Sequence, residues 1–268
     1  MPMNEFLHDP DAMGERREQI LSALREAGFV TIDGLAQRFG CSAQTVRRDL
    51  IAMDQLGLLK RFHGGAGLAD AVSRPSYTAK QGINTSGKGL IGRAAAEIVR
   101  SGDTVFFDVG TTVEAAATAL ARVLDQDGLS DVRAVCAGLR AAMILAGAPG
   151  VKVEVLPGEV NTPDGAITGA AAVAALSDVR LDHAFLGVSA FDAEGAAWDF
   201  DPAKVAVKRA GVAAARDAWA LADASKFSRT AGRRVCSARQ LRGIVTDAAP
   251  ADGLADAFEA AACAIVVA

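Results

Sequence analysis

Cysteine and histidine are scarce in this chain, and neither is grouped. The four cysteines (Cys41, Cys136, Cys236 and Cys263) stand far apart with no CxxC or Cys/His ligand spacing, and the three histidines (His8, His63 and His183) are equally scattered. That spacing argues against a disulfide framework and against a metal site, and it suits a reducing compartment; no metal and no cofactor are expected. Long apolar runs are missing too. None approaches the roughly 18 residues needed to span a bilayer. The stretch Met1 to Asp11 is polar and acidic, so the expectation is a cytoplasmic protein, neither secreted nor inserted in a membrane.

A positive overall charge is also absent, the net charge being −4 over 268 residues. As a total this argues against nucleic acid, but distribution matters more. From Gly14 to Ala66 eight Lys/Arg stand against six acids, and four of those bases fall between Arg47 and Arg61. The remainder of the chain carries the acidity. The length allows two domains, or one small module attached to a larger one.

What is present in the first part is helical periodicity. Ile20, Leu21, Leu24 and Ala27 recur at helical spacing within residues 16–27, and Gly28 ends the run. Thr31 is placed to cap a second helix whose apolar side holds Leu35, Ala36 and Phe39. Gly40 then breaks the chain, and Ser42 is placed to cap a third helix. In that helix Val46, Leu50 and Met53 form a buried stripe, which leaves Gln44, Arg47 and Arg48 on a polar, doubly cationic face. Two helices joined by a short Gly-containing turn match helix-turn-helix geometry, in which the second enters the major groove N-terminus first. Arg pairs with guanine or clamps phosphate, and Gln reads adenine. After Gly57, Leu58-Leu59-Lys60-Arg61-Phe62 and His63-Gly64-Gly65 read as a β-wing that lies along phosphates. The candidate DNA-contacting residues are therefore Ser42, Gln44, Thr45, Arg47, Arg48, Lys60, Arg61, His63, Gly64 and Gly65. For His63 a phosphate contact and a wing-shaping hydrogen bond both remain open. The bland alternative is a three-helix packing unit with a solvated arginine pair.

Beyond residue 87 strands and helices alternate. Lys88–Val99 reads as an amphipathic helix, Thr104–Asp108 as a buried strand and Val113–Leu124 as a helix. Further strands are expected at Val132–Cys136, Val151–Leu156, His183–Val188 and Trp219–Ala222, with helices around 139–146, 170–176 and 202–215. This predicts an α/β fold, a largely parallel sheet with helices on both faces, whose ligands bind at the carboxyl ends of strands. Three segments there can carry chemistry. Asp108-Val-Gly110-Thr111-Thr112 follows the first strand and opens a helix, offering hydroxyls and N–H groups to an anion, or simply capping the helix. Leu221-Ala-Asp223-Ala-Ser225-Lys226 places an acid, a hydroxyl and a cation after a buried strand. Trp198-Asp199-Phe200-Asp201 precedes a helix with Lys204, Lys208 and Arg209. Lysines suit a phosphate and aspartates the hydroxyls of a polyol, whereas Lys204 is expected in a surface salt bridge.

These motifs resemble those of the DeoR family of bacterial transcriptional regulators across nearly the whole chain. The likeness rests on Ser42-x-x-Thr45-Val-Arg-Arg-Asp-Leu50 and His63-Gly-Gly-Ala66, then on Asp108-x-Gly-Thr-Thr112, Lys208 and Asp223-x-Ser-Lys-Phe227. It implies a disordered N-terminus (1–13), a winged helix-turn-helix (14–67), a linker with partial helix (68–87) and an effector sensor (88–268) resembling ribose-phosphate isomerase. It further implies that Asp108, Gly110, Thr111, Thr112, Asp199, Lys208, Asp223, Ser225 and Lys226 surround a small phosphorylated polyol or sugar. Asp164-Gly-x-Ile-x-Gly169, Arg180-Leu-Asp182, Leu186-Gly-Val-Ser189, Asp199-Phe-Asp201 and Thr246-Asp-Ala248 place the likeness among members whose effector is glycerol 3-phosphate. Two departures bear on that effector. Cys136-Ala-Gly138 stands where the family carries Thr-Asn-(Ser/Asn), which removes two amide donors and one acceptor, and Pro157-Gly158 stands for a Gly-Gly pair.

The expected protein is thus a repressor that binds an operator as a homo-oligomer (dimer or tetramer) and leaves it when the effector binds. The competing reading is a sugar-phosphate isomerase-like enzyme with an accessory DNA module. It needs a proton-shuttling carboxylate, for which Asp192, Glu194 and Asp199 are the candidates.

Overall fold

The computed structural model describes residues 10–27, 29–56, 58–62, 64–68, 77–126 and 128–268. His63, the side chain of Lys60 and residues 69–76 of the expected linker lie outside the described residues. The chain divides into two units between Asn84 and Thr85.

In the first unit α1 (Pro10–Ala27) is followed by β1 (Phe29–Thr31), α2 (Ile32–Phe39), α3 (Ala43–Gln55), β2 (Leu59–Phe62), β3 (Gly65–Leu68) and α4 (Tyr77–Gly82). Residues 10–13, expected to be irregular, form the opening turn of α1, where proline has its φ preset for a helix. The partial helix expected in the linker is α4, whereas the next helix begins at Thr85 rather than Lys88. Asn84, at φ 48°, makes the turn between them. Ile20, Leu24, Leu35, Val46, Leu50, Met53 and Leu59 close one small core. β3 lies between β1 and β2, antiparallel to both, so the wing is a hairpin anchored to the strand that precedes α2.

The second unit is built on seven parallel strands. It runs through α5 (Thr85–Ala96), β4 (Thr104–Phe107), α6 (Thr111–Gln126), β5 (Val132–Cys136), α7 (Leu139–Ala146), β6 (Val151–Val155), β7 (Glu159–Asn161) and β8 (Ala166–Thr168). It continues through α8 (Ala170–Ser177), β9 (Leu181–Gly187), β10 (Ala190–Phe191), β11 (Ala197–Asp199), α9 (Pro202–Ala214) and β12 (Ala215–Leu221). It ends with β13 (Arg233–Cys236), β14 (Gly243–Thr246), α10 (Asp252–Ala260) and β15 (Ala264–Val267). The main sheet has the order β15-β14-β12-β9-β4-β5-β6. All five expected strands are in it, and β14 and β15 extend it beyond the expectation.

Period-two alternation sends adjacent residues of β4 to opposite faces. Phe106 packs in the layer with α8, α9 and α10, and Phe107 in the layer with α5, α6 and α7. Each buried phenylalanine contributes roughly 1.5–3 kcal/mol of hydrophobic stabilisation. From β4 the chain moves to β5 and β6 on one side, whereas β9, β12, β14 and β15 lie on the other. The crevice at the carboxyl ends of β4 and β9 is therefore the topological switch point, the place where sheets of this kind receive ligands.

Candidate DNA-reading face and effector site

The turn before α3 is built as its sequence requires. Gly40 ends α2 at φ 61°, a left-handed conformation that glycine adopts without cost. Ser42 then caps α3, its Oγ accepting the Thr45 N–H at 3.1 Å and lying 2.9 Å from the Thr45 hydroxyl. Ser42 and Thr45 thus shape the helix start. Gln44, Arg47 and Arg48, at i, i+3 and i+4, share an exposed face, opposite the buried Val46, Leu50 and Met53. On the wing Arg61 is exposed, and Gly64 turns the hairpin at φ 85° into Gly65.

One residue behind this face escaped the sequence reading. Asp49 is 3% exposed on the buried side of α3, where Arg16 Nε donates to it at 2.6 Å and Arg17 Nε lies at 3.6 Å. Hydrogen bonding to Asp49 holds the Arg16 guanidinium above its ordinary range. The pair ties α1 to the reading helix. The signal was present in the sequence: an acid three residues after Val46 falls on the apolar stripe and needs a buried cation.

In the second unit the crevice is held by a buried ionic triad. Lys208, from α9, is 1% exposed; its Nζ contacts Asp108 Oδ2, donates to the Gly187 carbonyl at 2.6 Å and lies 3.4 Å from Asp199 Oδ2. Burial opposes its charge, but Asp108 and Asp199 outweigh burial and hold the ammonium above its usual range. Asp108 Oδ2 also accepts the Gly187 N–H at 3.0 Å, and Asp199 Oδ1 accepts from Ser189 Oγ and the Phe200 N–H, each at 2.8 Å. A side chain at Gly187 would place its Cβ 2.9 Å from the Val109 carbonyl, so only glycine lets the ends of β4 and β9 approach this closely. Gly110, at φ 144°, follows in the same turn, and Thr111 opens α6 with Thr112 buried behind it.

A second cluster lies at the end of β12. Asp223 caps the short turn Ala224–Lys226, its Oδ1 accepting the Ser225 N–H at 3.1 Å, with Lys226 Nζ 3.4 Å from its Oδ2. Among the described residues, Asp223 Oδ2 and Ser225 Oγ are buried without a hydrogen-bond partner. Burial opposes ionisation of Asp223, but Lys226, Lys88 and Arg229 outweigh it and hold the carboxyl below the usual range. The cations pay the converse. Burial lowers Lys226, with Arg229 adding to the effect, and burial lowers Arg229 as well. Lys88, on α5 and 6% exposed, is brought down to about 8 by burial, with Lys226 and Arg229 adding to it against Asp223 and Glu114. Neither Lys88 nor Arg229 was expected at the site.

The structure therefore joins Asp108, Lys208 and Asp199 directly, and Asp223, Ser225 and Lys226 in one turn. Asp199 also acts on Lys226, which links the two groups electrostatically. Lys204 departs from expectation: it is 6% exposed and paired with the buried Asp164, because Pro202 starts α9 so that residues 204 and 208 face inward together. Cys136 and Ala137 are buried, and burial pushes the Cys136 thiol up to about 12, so this departure supplies packing and not a ligand group. The carboxylates named for isomerase chemistry are otherwise engaged or placed. Asp192 accepts from the Ala196 N–H and Trp198 Nε1, both at 2.7 Å, Asp199 belongs to the triad, and Glu194 is exposed.

An exposed cationic reading helix with a wing, and a separate α/β unit with buried cations at its switch point, define a ligand-responsive DNA-binding regulator. Comparison with known proteins gives the same assignment. Residues 16–72 match the DeoR-like helix-turn-helix domain and residues 83–248 the DeoR C terminal sensor domain. The chain is 33% identical to the glycerol-3-phosphate regulon repressor of Escherichia coli (strain K12), over 88% of this chain and 91% of that protein. It is 32% identical to the HTH-type transcriptional repressor CsqR of the same organism, over 93% and 92%. Among solved structures, ribose 5-phosphate isomerase from Plasmodium falciparum aligns with a TM-score of 0.39 and 14% identity over 53% of this chain and 54% of that chain. The chain belongs to the DeoR family, and it is a transcriptional regulator rather than an enzyme.

Proposed function

We propose that this DeoR-type repressor leaves its operator when a small phosphorylated polyol or sugar occupies the second unit, with glycerol 3-phosphate the first candidate. The observation that carries this reading is the set of cations around Asp223, with Lys88 buried and Lys226 and Arg229 half-buried. Holding several ammonium and guanidinium groups out of water is costly unless an anion meets them. The printed name of the Escherichia coli relative supports the choice of first candidate.

In this reading Gln44, Arg47 and Arg48 address base edges and phosphates in the major groove, with Ser42 and Thr45 fixing the helix start. Lys60, Arg61 and His63, on the wing turned by Gly64 and Gly65, follow the backbone. The effector's phosphate lies between the N-terminus of α6, at Gly110, Thr111 and Thr112, and Lys226. Its hydroxyls are met by Asp223 and Ser225, which have unused acceptor and donor capacity. Asp108, Lys208 and Asp199 hold the two strand ends in register beside it. Two copies of the reading helix spaced for two half-sites make the repressor a dimer or a multiple of one, and the setting is the cytoplasm. No helix among the described residues is long and apolar enough to cross a membrane.

A mobility-shift titration on DNA upstream of the gene tests this, using triose, polyol and hexose phosphates. The expected result is loss of the shifted band with glycerol 3-phosphate or a close analogue; a band unmoved by every member of the panel contradicts the reading.

A further inference from the structure

We propose that β6, an edge strand of the seven-stranded sheet, pairs antiparallel with β6 of a second copy of this chain, centred on Val153. The two copies of the second unit then share one continuous sheet. The proposal rests on the reading of the repressor as a dimer or a multiple of one, and assigns the surface that makes it.

The argument begins with the backbone. β6 ends the sheet, bonded to β5 on one side and packed against α7. Its pairing with β5 is parallel and unbroken from Val151 to Val155. At the two ends of this ladder the Val132 N–H donates to the Gly150 carbonyl at 3.1 Å, and the Leu156 N–H donates to the Cys136 carbonyl at 3.0 Å. Residues that bond to one neighbour alternate along a strand, so Lys152 and Glu154 complete the ladder to β5. Val151, Val153 and Val155 therefore direct both N–H and C=O away from it. No strand among the described residues takes these groups. An uncovered row of this kind is a template for another strand.

The side chains decide which strand fits. Val151 and Val153 pack in the layer with α7, and period-two alternation puts Lys152 and Glu154 on the other face. Lys152 and Glu154 are equally far from Val153, so Val-Lys-Val-Glu-Val is complementary to itself when one copy runs the opposite way. A two-fold axis at Val153 sets Lys152 opposite the partner's Glu154, and Glu154 opposite the partner's Lys152. These fall at non-hydrogen-bonded positions, where side chains come closest, while the valines exchange the backbone bonds. Val155, exposed in the single chain, is covered by the partner's Val151.

The single chain leaves the charge on this edge unbalanced. Arg133 stands beside Lys152 in register, Glu154 is engaged by Arg133, and Lys152 has no ion pair among the described residues. The partner's Glu154 supplies the missing acid. A lone lysine on an edge keeps strands apart. Here the glutamate two residues on turns that barrier into selection of one register, since a parallel arrangement sets lysine against lysine. The opposite edge strand, β15, reads Ala-Ile-Val-Val and has no charge to fix a register.

Sedimentation velocity of the full chain at micromolar concentration tests the proposal. Glu154→Lys and Lys152→Glu each set like charges opposite one another and should halve the mass of the wild-type species. The Arg133–Glu154 pair is exposed on both sides, so the fold loses little with it, and the thermal unfolding transition reports that each variant is folded. Mixed in equal amounts, the two variants are complementary again and should recover the wild-type mass. The double variant Lys152→Glu/Glu154→Lys should recover it alone. A wild-type oligomer whose mass is unchanged in both single variants, or single variants that stay small when mixed, overturns the β6 pairing while leaving the dimeric reading intact. A wild-type chain that stays monomeric at every concentration overturns both.

Discussion

The two units use positive charge in opposite ways. In the first, Arg47, Arg48 and Arg61 stand in water on rigid supports, and among the described residues the one buried charge, Asp49, serves to lock α1 against α3. In the second, Lys88, Lys204 and Lys208 are buried and Lys226 nearly so, and most of the chemistry lies inside. The contrast fits the sizes of the partners. A duplex is a long polyanion that meets exposed cations one phosphate at a time and leaves water at the edges. A small anion makes few contacts, so each must be strengthened by excluding water. The exposed face costs the fold little, whereas the buried site is built against stability.

Substitutions should separate the two regimes. The largest effect is expected at Lys208. Its loss in Lys208→Ala leaves Asp108 and Asp199 buried without their cation and should destabilise the second unit by about 3–5 kcal/mol in a denaturant titration. Lys88→Met should act in the opposite direction. Below about pH 8 the fold bears the cost of charging this lysine, and the depression from its ordinary value corresponds to about 3 kcal/mol. The unfolded chain binds more protons between about pH 8 and the normal lysine range, so this group's contribution to stability rises with pH across that window. Lys88→Met should therefore raise the unfolding midpoint at pH 7. A fall in the midpoint would make Lys88 a structural lysine. On the exposed face Arg47→Ala or Arg48→Ala should weaken operator binding by about 1–3 kcal/mol. Their unfolding should stay within about 0.5 kcal/mol of wild type. If either arginine contacts phosphate, the salt dependence should flatten by about one counterion.

The same contrast explains what could be read from the residues alone. The reading face is local: Thr31, Gly40, Ser42 and the Val46-Leu50-Met53 stripe are neighbours in sequence, and caps and periodicity place Arg47 and Arg48 without reference to distant parts. The motifs after β4 and β12 were legible for the same reason, each following a buried strand. What was hidden depends on distant pairing. Lys88 looked like one polar residue on an amphipathic helix, and only the docking of α5 on β12 and β14 brings it to Asp223. Lys204 looked exposed because nothing nearby in sequence announces Asp164. β14 and β15 are four-residue apolar runs, too short for periodicity to tell strand from helix.

The central claim, that the buried cations of one unit govern the exposed cations of the other, is tested most directly by operator affinity in wild type and Lys226→Ala, with and without glycerol 3-phosphate. Fluorescence anisotropy on a labelled upstream fragment should show equal affinity for the two proteins without ligand. Ligand should then release wild type only. A Lys226→Ala variant that has lost DNA binding in the absence of ligand, or that is released as readily as wild type, would contradict the account.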